Sequence, residues 1–152
     1  MKIQLMKQSD FEEIYALLIK AGLSLAQKEK ELYEYKMIFQ LNPKCCFVAK
    51  EKNKIIGAVF GAFNGKRGWI YHLAVDSKYQ NQNIGTLLLN EAEESLKKIG
   101  ATKIFLGVAF TNLKVIPFYE KNGWLIEQDA ILMKKDFWTD FNSHRRIYRE
   151  SS

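Results

Sequence analysis

The segment from residue 69 to residue 99 constrains the fold more than any other part of the chain. Trp69 to Val75 is an apolar run with the length and composition of a strand. Ile84 to Ile99 then places apolar side chains at helical spacing, and Gly100 follows where a helix C-cap is expected. A strand, a polar loop and a helix in this order favour a mixed α/β sheet domain.

The residues before this segment predict two helices and three more strands, and the first of these strands is a short alternating edge strand at Ile3–Met6. Ser9 and Glu12 have the spacing of a capping box, so a first helix should begin there and end near Gly22. A second helical stretch runs from about residue 25 to residue 40. Two further apolar runs then precede Trp69, and the three together predict a meander of strands: Cys46–Ala49, Ile55–Phe63 and Trp69–Val75.

After the third helix the pattern predicts one buried strand, a short helix and a final hairpin. The strand is Ile104–Val108, the helix ends at Asn122-Gly123, and the hairpin pairs Trp124–Ile126 with Ile131–Met133. The predicted order is therefore β-α-α-β-β-β-α-β-α-β-β in one mixed α/β sheet. The chain has 152 residues and no repeat or linker, so residues 1–152 should form a single domain. The polar tail 136–152 has no predicted place in it.

Composition excludes several classes of protein. Apolar residues make up 47% and charged residues 26% of the chain, which is typical of a globular protein rather than a disordered one. No run approaches the roughly 18 apolar residues of a membrane span, and the first seven residues are too polar for a signal peptide. Cys45 and Cys46 are adjacent, so they supply neither a disulfide framework nor a zinc site, and packing is their expected role. These features predict a cytoplasmic protein without a metal or a membrane partner.

The net charge of +6 suggests an anionic partner, such as a phosphorylated cofactor, or simply a basic surface. The positive residues are scattered, and the densest clusters, Lys134-Lys135 and Arg145-Arg146, are short. Nucleic-acid binding usually relies on a longer basic patch, so the charge pattern speaks against it.

The loop before the third helix has the features of an anion cradle. The first N–H groups of a helix lack intrahelical acceptors, and the helix dipole makes that end positive. Asn81 and Asn83 suit such a loop because asparagine tolerates a positive φ better than other non-glycine residues. An ordinary polar loop is the alternative reading. Neither a P-loop nor a Rossmann fingerprint is present.

The same loop resembles the acetyl-CoA signature of the GNAT acetyltransferase superfamily, R/Q-x-x-G-x-G/A after a strand ending L-x-V. Leu73 and Val75 end the strand, Gln80 fills the first position of the signature and Gly85 the last, while Asn83 replaces the middle glycine.

A second segment is similar to the family's N-x-x-A-x-x-x-Y-E-K-x-G-F/W. Asn112, Tyr119 and Gly123 have the matching spacing, and Val115 replaces the usual alanine.

This resemblance implies a V-shaped gap between two splayed central parallel strands. Pantetheine would bond to the backbone of Leu73 and Val75, and the pyrophosphate would bind N–H groups from about Gln82 to Thr86. The implied set that binds acetyl-CoA, as co-substrate, is Leu73, Ala74, Val75, Gln80, Asn81, Gln82, Asn83, Ile84, Gly85, Thr86, Asn112 and Tyr119.

The resemblance also implies direct attack of an amine on the thioester, with Tyr119 as the catalytic acid that protonates the leaving thiolate. A core aromatic beside Phe118 is the alternative role for Tyr119. The family's glutamate in the strand before the second motif is Gly107 here, which argues against a ribosomal-protein N-terminal acetyltransferase.

The general base is therefore open between His72 and a water chain. Strand alternation predicts Tyr71 and Leu73 on one face of the sheet and His72 on the other. Tyr71 and Glu31 or Glu34 are weaker candidates for substrate contact.

The predicted function is an N-acetyltransferase that acts on a primary amine of a small molecule or a protein. One alternative is a CoA-binding module without turnover. The other is a basic nucleic-acid-binding domain, suggested only by the charge and by His144-Arg145-Arg146. The acceptor and the oligomeric state, including a homodimer, stay open.

Overall fold

The computed structural model describes residues 1–139, and the chain divides into two compact units, Met1–Val115 and Ile116–Ser152. The first unit carries a five-stranded sheet in the order β1-β2-β3-β4-β5, mixed because its last pair is parallel. Its strands are β1 (Lys2–Leu5), β2 (Phe47–Glu51), β3 (Lys54–Phe63), β4 (Gly68–Val75) and β5 (Ile104–Leu106). Its helices are α1 (Phe11–Lys20), α2 (Lys28–Leu41) and α3 (Ile84–Lys98), and α4 (Ile116–Lys121) opens the second unit.

Helices cover both faces of the sheet. Consecutive residues of a strand point to opposite faces, and β3 shows this directly. Ala58 belongs to the hydrophobic core that Phe11, Ile14 and Tyr35 of α1 and α2 form with the sheet. Gly57, the residue before it, faces α3 instead. The mixed α/β fold class that the sequence predicts is therefore confirmed.

Close packing of α3 on the sheet depends on Gly57. A Cβ at this position would stand 2.8 Å from Leu88 Cδ1 and 3.3 Å from the Ala74 carbonyl oxygen. The buried side chains of α3, including Leu88 and Leu96, could not approach β3 as closely if any larger residue replaced this glycine. This contact fixes the position of the N-terminus of α3 beside the end of β4.

The parallel pairing of β4 with β5 covers only three positions, Gly68–Ile70 with Ile104–Leu106. β4 continues for five more residues, to Val75, and pairs there with β3 alone. Within residues 1–139 no other strand lies along this edge of β4. The sheet therefore opens between its two parallel strands, as the resemblance implied.

Two local predictions were wrong. The predicted capping box of Ser9 and Glu12 is not formed. Lys7 N–H instead donates to Asp10 Oδ2 at 2.8 Å, and α1 begins at Phe11. Asp10 prevails because its buried carboxylate also pairs with Lys50 Nζ at 2.9 Å.

The predicted final hairpin is also absent from the part of the chain that the structure describes. Residues 125–137 contain no strand, and Leu125 and Ile131 are 90% and 91% exposed. A two-stranded hairpin that buries neither face is at best marginally stable. Of the unplaced tail 136–152, the segment from residue 140 onward lies outside the described residues.

Candidate active site

The open edge of β4 presents main-chain groups of Leu73 and Val75. Asp76 N–H donates to the Ile56 carbonyl at 2.8 Å, which makes Asp76 and Ile56 a hydrogen-bonded pair of the antiparallel ladder. Such pairs alternate along the strand, so the main-chain N–H and C=O of Ala74 also face β3. The main-chain groups of Leu73 and Val75 face the opposite, open side of β4. Val75 accepts a hydrogen bond from Gln80 Nε2 at 3.2 Å on its open side.

Asp76 anchors the loop that follows β4. Its buried carboxylate accepts a hydrogen bond from Lys78 N–H at 3.0 Å and pairs with Lys20 Nζ at 3.1 Å. Lys54 Nζ lies 3.7 Å away. The hydrogen bond from Lys78 and the pairing with Lys20 hold the pKa of Asp76 below its ordinary value. The first residue of the loop is therefore fixed by charge and by the backbone.

Asn81 and Asn83 both adopt left-handed backbone conformations, with φ of +63° and +64°. Asn83 is the N-cap of α3, and its carbonyl accepts the first helical hydrogen bond, from Leu87 N–H at 3.1 Å. The expectation that asparagine supplies the geometry usually left to glycine is confirmed for Asn83.

The N-terminus of α3 has the electrostatic character of an anion site. The Asn83 side chain makes no capping hydrogen bond, and the first turn contains no acidic residue. The N–H groups of Ile84, Gly85 and Thr86 therefore have no intrahelical acceptor, and the helix dipole is not offset by a carboxylate. Gln80–Asn83 are exposed, Gly85 and Thr86 are half-buried, and Ile84 is buried.

A bulge in β4 brings polar groups together on the face that α2 covers. Phe60 pairs with Tyr71 and Ala58 with Ala74, so Val59 alone stands opposite both His72 and Leu73. His72 takes a φ of +54°. Its ring packs edge-to-face on Tyr35 and Phe60, with centroids 5.7 Å and 5.9 Å away.

The predicted alternation of side chains around His72 was therefore wrong. Tyr71 lies opposite Phe60 and therefore shares its face, and His72 packs on Phe60 as well. Burial raises the pKa of Tyr71, and the nearby charge of Glu34 on α2 raises it further. The extra residue of the bulge puts Tyr71 and His72 on the same side, with Leu73 on the other. A bulge leaves little trace in a sequence, so period-two reasoning could not have found it.

Glu31 on α2 faces His72. Glu31 Oε1 accepts a hydrogen bond from Ala26 N–H at 2.8 Å, and Glu31 Oε2 lies 3.4 Å from His72 Nε2. Burial lowers the pKa of His72, and the carboxylate of Glu31 opposes that shift. The sequence suggested both residues separately but gave no sign that they form a pair.

The second predicted motif is divided between the two units. Asn112 is half-buried near the end of the first unit, at a kink in the segment Phe110–Val115, where its N–H donates to the Ala109 carbonyl at 2.8 Å. Tyr119 lies on α4 in the second unit, and its ring packs edge-to-face on Phe118 and Trp124. Burial raises the pKa of Tyr119. The catalytic role of Tyr119 stays a prediction.

The two cysteines lie in the core. Cys45 and Cys46 are fully buried free thiols, and burial raises the pKa of Cys46 to about 12. Among residues 1–139 no cluster of three histidine, cysteine or acidic side chains could hold a metal ion. None of the helices in that range is both long and apolar enough to cross a bilayer.

Known proteins share this sequence pattern and this fold. The chain is 28% identical over 135 residues to "Acetyltransferase SG1711" of Sodalis glossinidius, which covers 89% of this chain and 94% of that protein. The aminoglycoside antibiotic 6'-N-acetyltransferase AAC(6')-IG of Acinetobacter haemolyticus superposes with a TM-score of 0.72 at 16% identity, over 90% of this chain and 99% of that one.

A further solved structure is AAC(6')-Iy in complex with a bisubstrate analogue, CoA-S-monomethyl-acetylneamine. It superposes with a TM-score of 0.72 at 12% identity, over 89% of this chain and 97% of that one. The Acetyltransferase (GNAT) family model matches residues 11–124, which includes β4, its loop, α3 and Tyr119. The chain therefore belongs to the GNAT acetyltransferase family and is an acyltransferase.

Proposed function

We propose that this enzyme transfers the acetyl group of acetyl-CoA to a primary amine by direct attack of the amine on the thioester. One observation supports this most directly: the open edge of β4 ends beside the uncapped N-terminus of α3. An extended amide-containing chain and a pyrophosphate need these two features, in this order along the ligand.

The main-chain groups of Leu73 and Val75 would bind the amides of pantetheine in the way that a neighbouring strand would. The hydrogen bond from Gln80 Nε2 to the Val75 carbonyl supports this proposal, because its donor reaches the carbonyl from outside the sheet. The N–H groups of Gln82 to Thr86 would bind the pyrophosphate. The left-handed backbones of Asn81 and Asn83 give the loop the sharp turns that such a cradle requires.

The chemistry requires two proton transfers. A primary amine with a pKa near 10.4 is neutral in only about one part in two thousand at pH 7, so a base must accept its proton before attack. The thiolate that leaves must then be protonated, and the phenol of Tyr119 is the proposed donor.

The acceptor is a primary amine of a small molecule or a protein, and the proposed site of action is the cytoplasm. The aminoglycoside acetyltransferases are similar in fold only, since their identity to this chain is below 25%. Their acceptors are therefore one class to include in a test panel.

Two measurements test the proposal. Acetyl-CoA should raise the Tm, because only the folded chain presents the amide cradle. At an acetyl-CoA concentration of one hundred times Kd, the free energy of unfolding should increase by about 2.7 kcal/mol. Release of free CoA thiol should then depend on an added amine from a panel of polyamines, aminoglycosides, aromatic amines and peptide N-termini.

The results separate the alternatives. No shift in Tm at millimolar acetyl-CoA contradicts the cofactor assignment. A clear shift without amine-dependent thiol release contradicts acetyl transfer and favours a CoA-binding module.

A further inference from the structure

We propose that His72 is the general base that accepts the proton of the acceptor ammonium, and that Glu31 is its positioning residue. This inference rests on the amine acetylation proposed above and names the residue that accepts the proton of the amine.

Glu31 is built to face the imidazole. Its side chain is 6% exposed, and one of its oxygens is held by Ala26 N–H at 2.8 Å. The other oxygen, Oε2, is buried without a hydrogen bond and lies 3.4 Å from His72 Nε2. An unsatisfied buried carboxylate oxygen is costly. A positive charge that forms on the imidazole would satisfy it.

The imidazole is the accessible member of this group. The side chain of His72 is 22% exposed, whereas Tyr35 is fully buried and Glu31 nearly so. The groups packed against His72 are Glu31, the Tyr35 ring and hydroxyl on α2, and the Phe60 ring on β3. Tyr71, the preceding residue, senses Glu34 on α2. The Tyr35 hydroxyl is buried near Glu31 without forming a hydrogen bond, and burial together with the Glu31 carboxylate raises the pKa of Tyr35.

The environment keeps His72 neutral near pH 7. Burial lowers its pKa from the ordinary value, while the Glu31 carboxylate limits the fall. A proton on Nε2 faces Glu31 Oε2, which leaves the lone pair on Nδ1 for a substrate proton. Glu31 then stabilises the imidazolium that forms.

The β4 bulge places this base next to the cofactor edge. His72 keeps a left-handed φ of +54°, which is uncommon for a non-glycine residue. Its neighbour Leu73 presents main-chain groups to the gap where the thioester would bind. The strained residue therefore joins the buried carboxylate on α2 to the open edge of β4.

His72 removes one proton from the ammonium and later releases it to solvent. The freed lone pair of the amine forms the C–N bond as the C–S bond breaks. The proton that the new amide nitrogen loses goes to the departing thiolate, through Tyr119.

The test compares pH profiles of kcat/KM between about pH 4.5 and pH 10, using the alkylamine from the panel that gives the fastest turnover. The wild-type enzyme should show a plateau that falls only below the pKa of His72. His72→Asn tolerates the left-handed backbone but cannot accept a proton. Its kcat/KM should be about 100-fold below that of the wild type at pH 7. It should then rise about tenfold per pH unit, because more of the amine is already deprotonated in solution and needs no base.

Glu31→Gln supplies a readout that is independent of turnover. It removes the charge that raises the pKa of His72, so the imidazole titration followed by NMR should move to lower pH, together with the acid limb of the profile. His72→Asn assigns the signal, because the chain has only two histidines. Glu29→Gln, at an exposed position of the same helix, should leave the imidazole titration and the acid limb unchanged.

The outcomes distinguish this inference from the function on which it rests. A wild-type enzyme that acetylates no amine overturns the proposed function. An active wild-type enzyme whose His72→Asn variant has the same rate at pH 7, or an equal loss at every pH, overturns only the role of His72. Both variants should keep the acetyl-CoA-induced rise in Tm, which shows that they fold and bind.

Discussion

Asn81 and Asn83, which are separated by one residue, both adopt left-handed backbones, with φ of +63° and +64°. The loop thus makes two sharp turns within three residues and delivers the chain directly into α3. Neither position carries a glycine. The proposed cradle therefore keeps its shape at a modest conformational cost to these two residues.

Replacement of Asn83 by glycine should be neutral for acetyl-CoA affinity or improve it, because glycine adopts this conformation freely. Asn83→Ala should lower the free energy of unfolding by about 1–2 kcal/mol, the cost of a left-handed alanine. Thermal unfolding with and without acetyl-CoA measures both effects. Asn90→Ala, exposed on the same helix, is the control. A large loss of affinity in Asn83→Gly would mean that the amide side chain contacts the ligand.

Gly85→Glu should abolish acetyl-CoA binding without unfolding the protein. The new carboxylate would stand in the first turn of α3, where the phosphates need to approach the backbone, and it would repel them. Isothermal titration with acetyl-CoA tests this. Asn90→Glu adds the same charge at an exposed position later in α3 and should bind normally. Equal binding by the two variants would place the pyrophosphate elsewhere.

Tyr119→Phe should reduce kcat by about 100-fold and change the KM for acetyl-CoA little. The ring contacts with Phe118 and Trp124 survive this change, so the Tm should be nearly unaltered. Burial raises the pKa of Tyr119, so any wild-type alkaline limb due to this acid should lie above pH 10 and be absent from the variant. An unchanged kcat at saturating substrates would show that Tyr119 is only a packing residue.

Asp76→Asn should destabilise the protein at pH 7 by about 1.5–3 kcal/mol, because it removes charge-assisted contacts of a buried carboxylate. The folded-state pKa of Asp76 lies below its ordinary 3.8, so the unfolded chain binds more protons. The stabilisation is therefore present above pH 3.8 and lost as the pH falls through the folded-state pKa.

Urea unfolding at pH 7 and at pH 3 measures this dependence. The difference in the free energy of unfolding between the wild type and Asp76→Asn should be smaller at pH 3 than at pH 7. Asp129→Asn, at an exposed position, should change stability by less than about 0.5 kcal/mol. A gap that is independent of pH would mean that the charge of Asp76 is unimportant.

Much of the fold could be predicted because its signals are local. Apolar runs separated by turns identified β2, β3 and β4, and helical spacing followed by Gly100 identified α3 almost to its ends. Asn83 could be assigned a left-handed backbone because the sterics that favour asparagine there act within a single residue.

The parts that could not be predicted depend on distant residues. The start of α1 is set by Asp10, which pairs with Lys50 forty residues later in the sequence. The face to which His72 points depends on a bulge opposite Val59, and its pairing with Glu31 depends on how α2 crosses the sheet. The two apolar runs at residues 124–126 and 131–133 have the same appearance whether or not a partner strand is available.

The short ladder between β4 and β5 has a consequence for how the molecule opens. Three paired positions join these strands, whereas β4 and β3 share six. Detachment of β5 therefore breaks far fewer main-chain bonds than separation of the meander, and such sub-global opening should be the lower-energy fluctuation of the sheet. Amide hydrogens of β5 should exchange with solvent through it sooner than those of β3. Of the two strands that flank the proposed thioester site, β4 should therefore be held more firmly than β5.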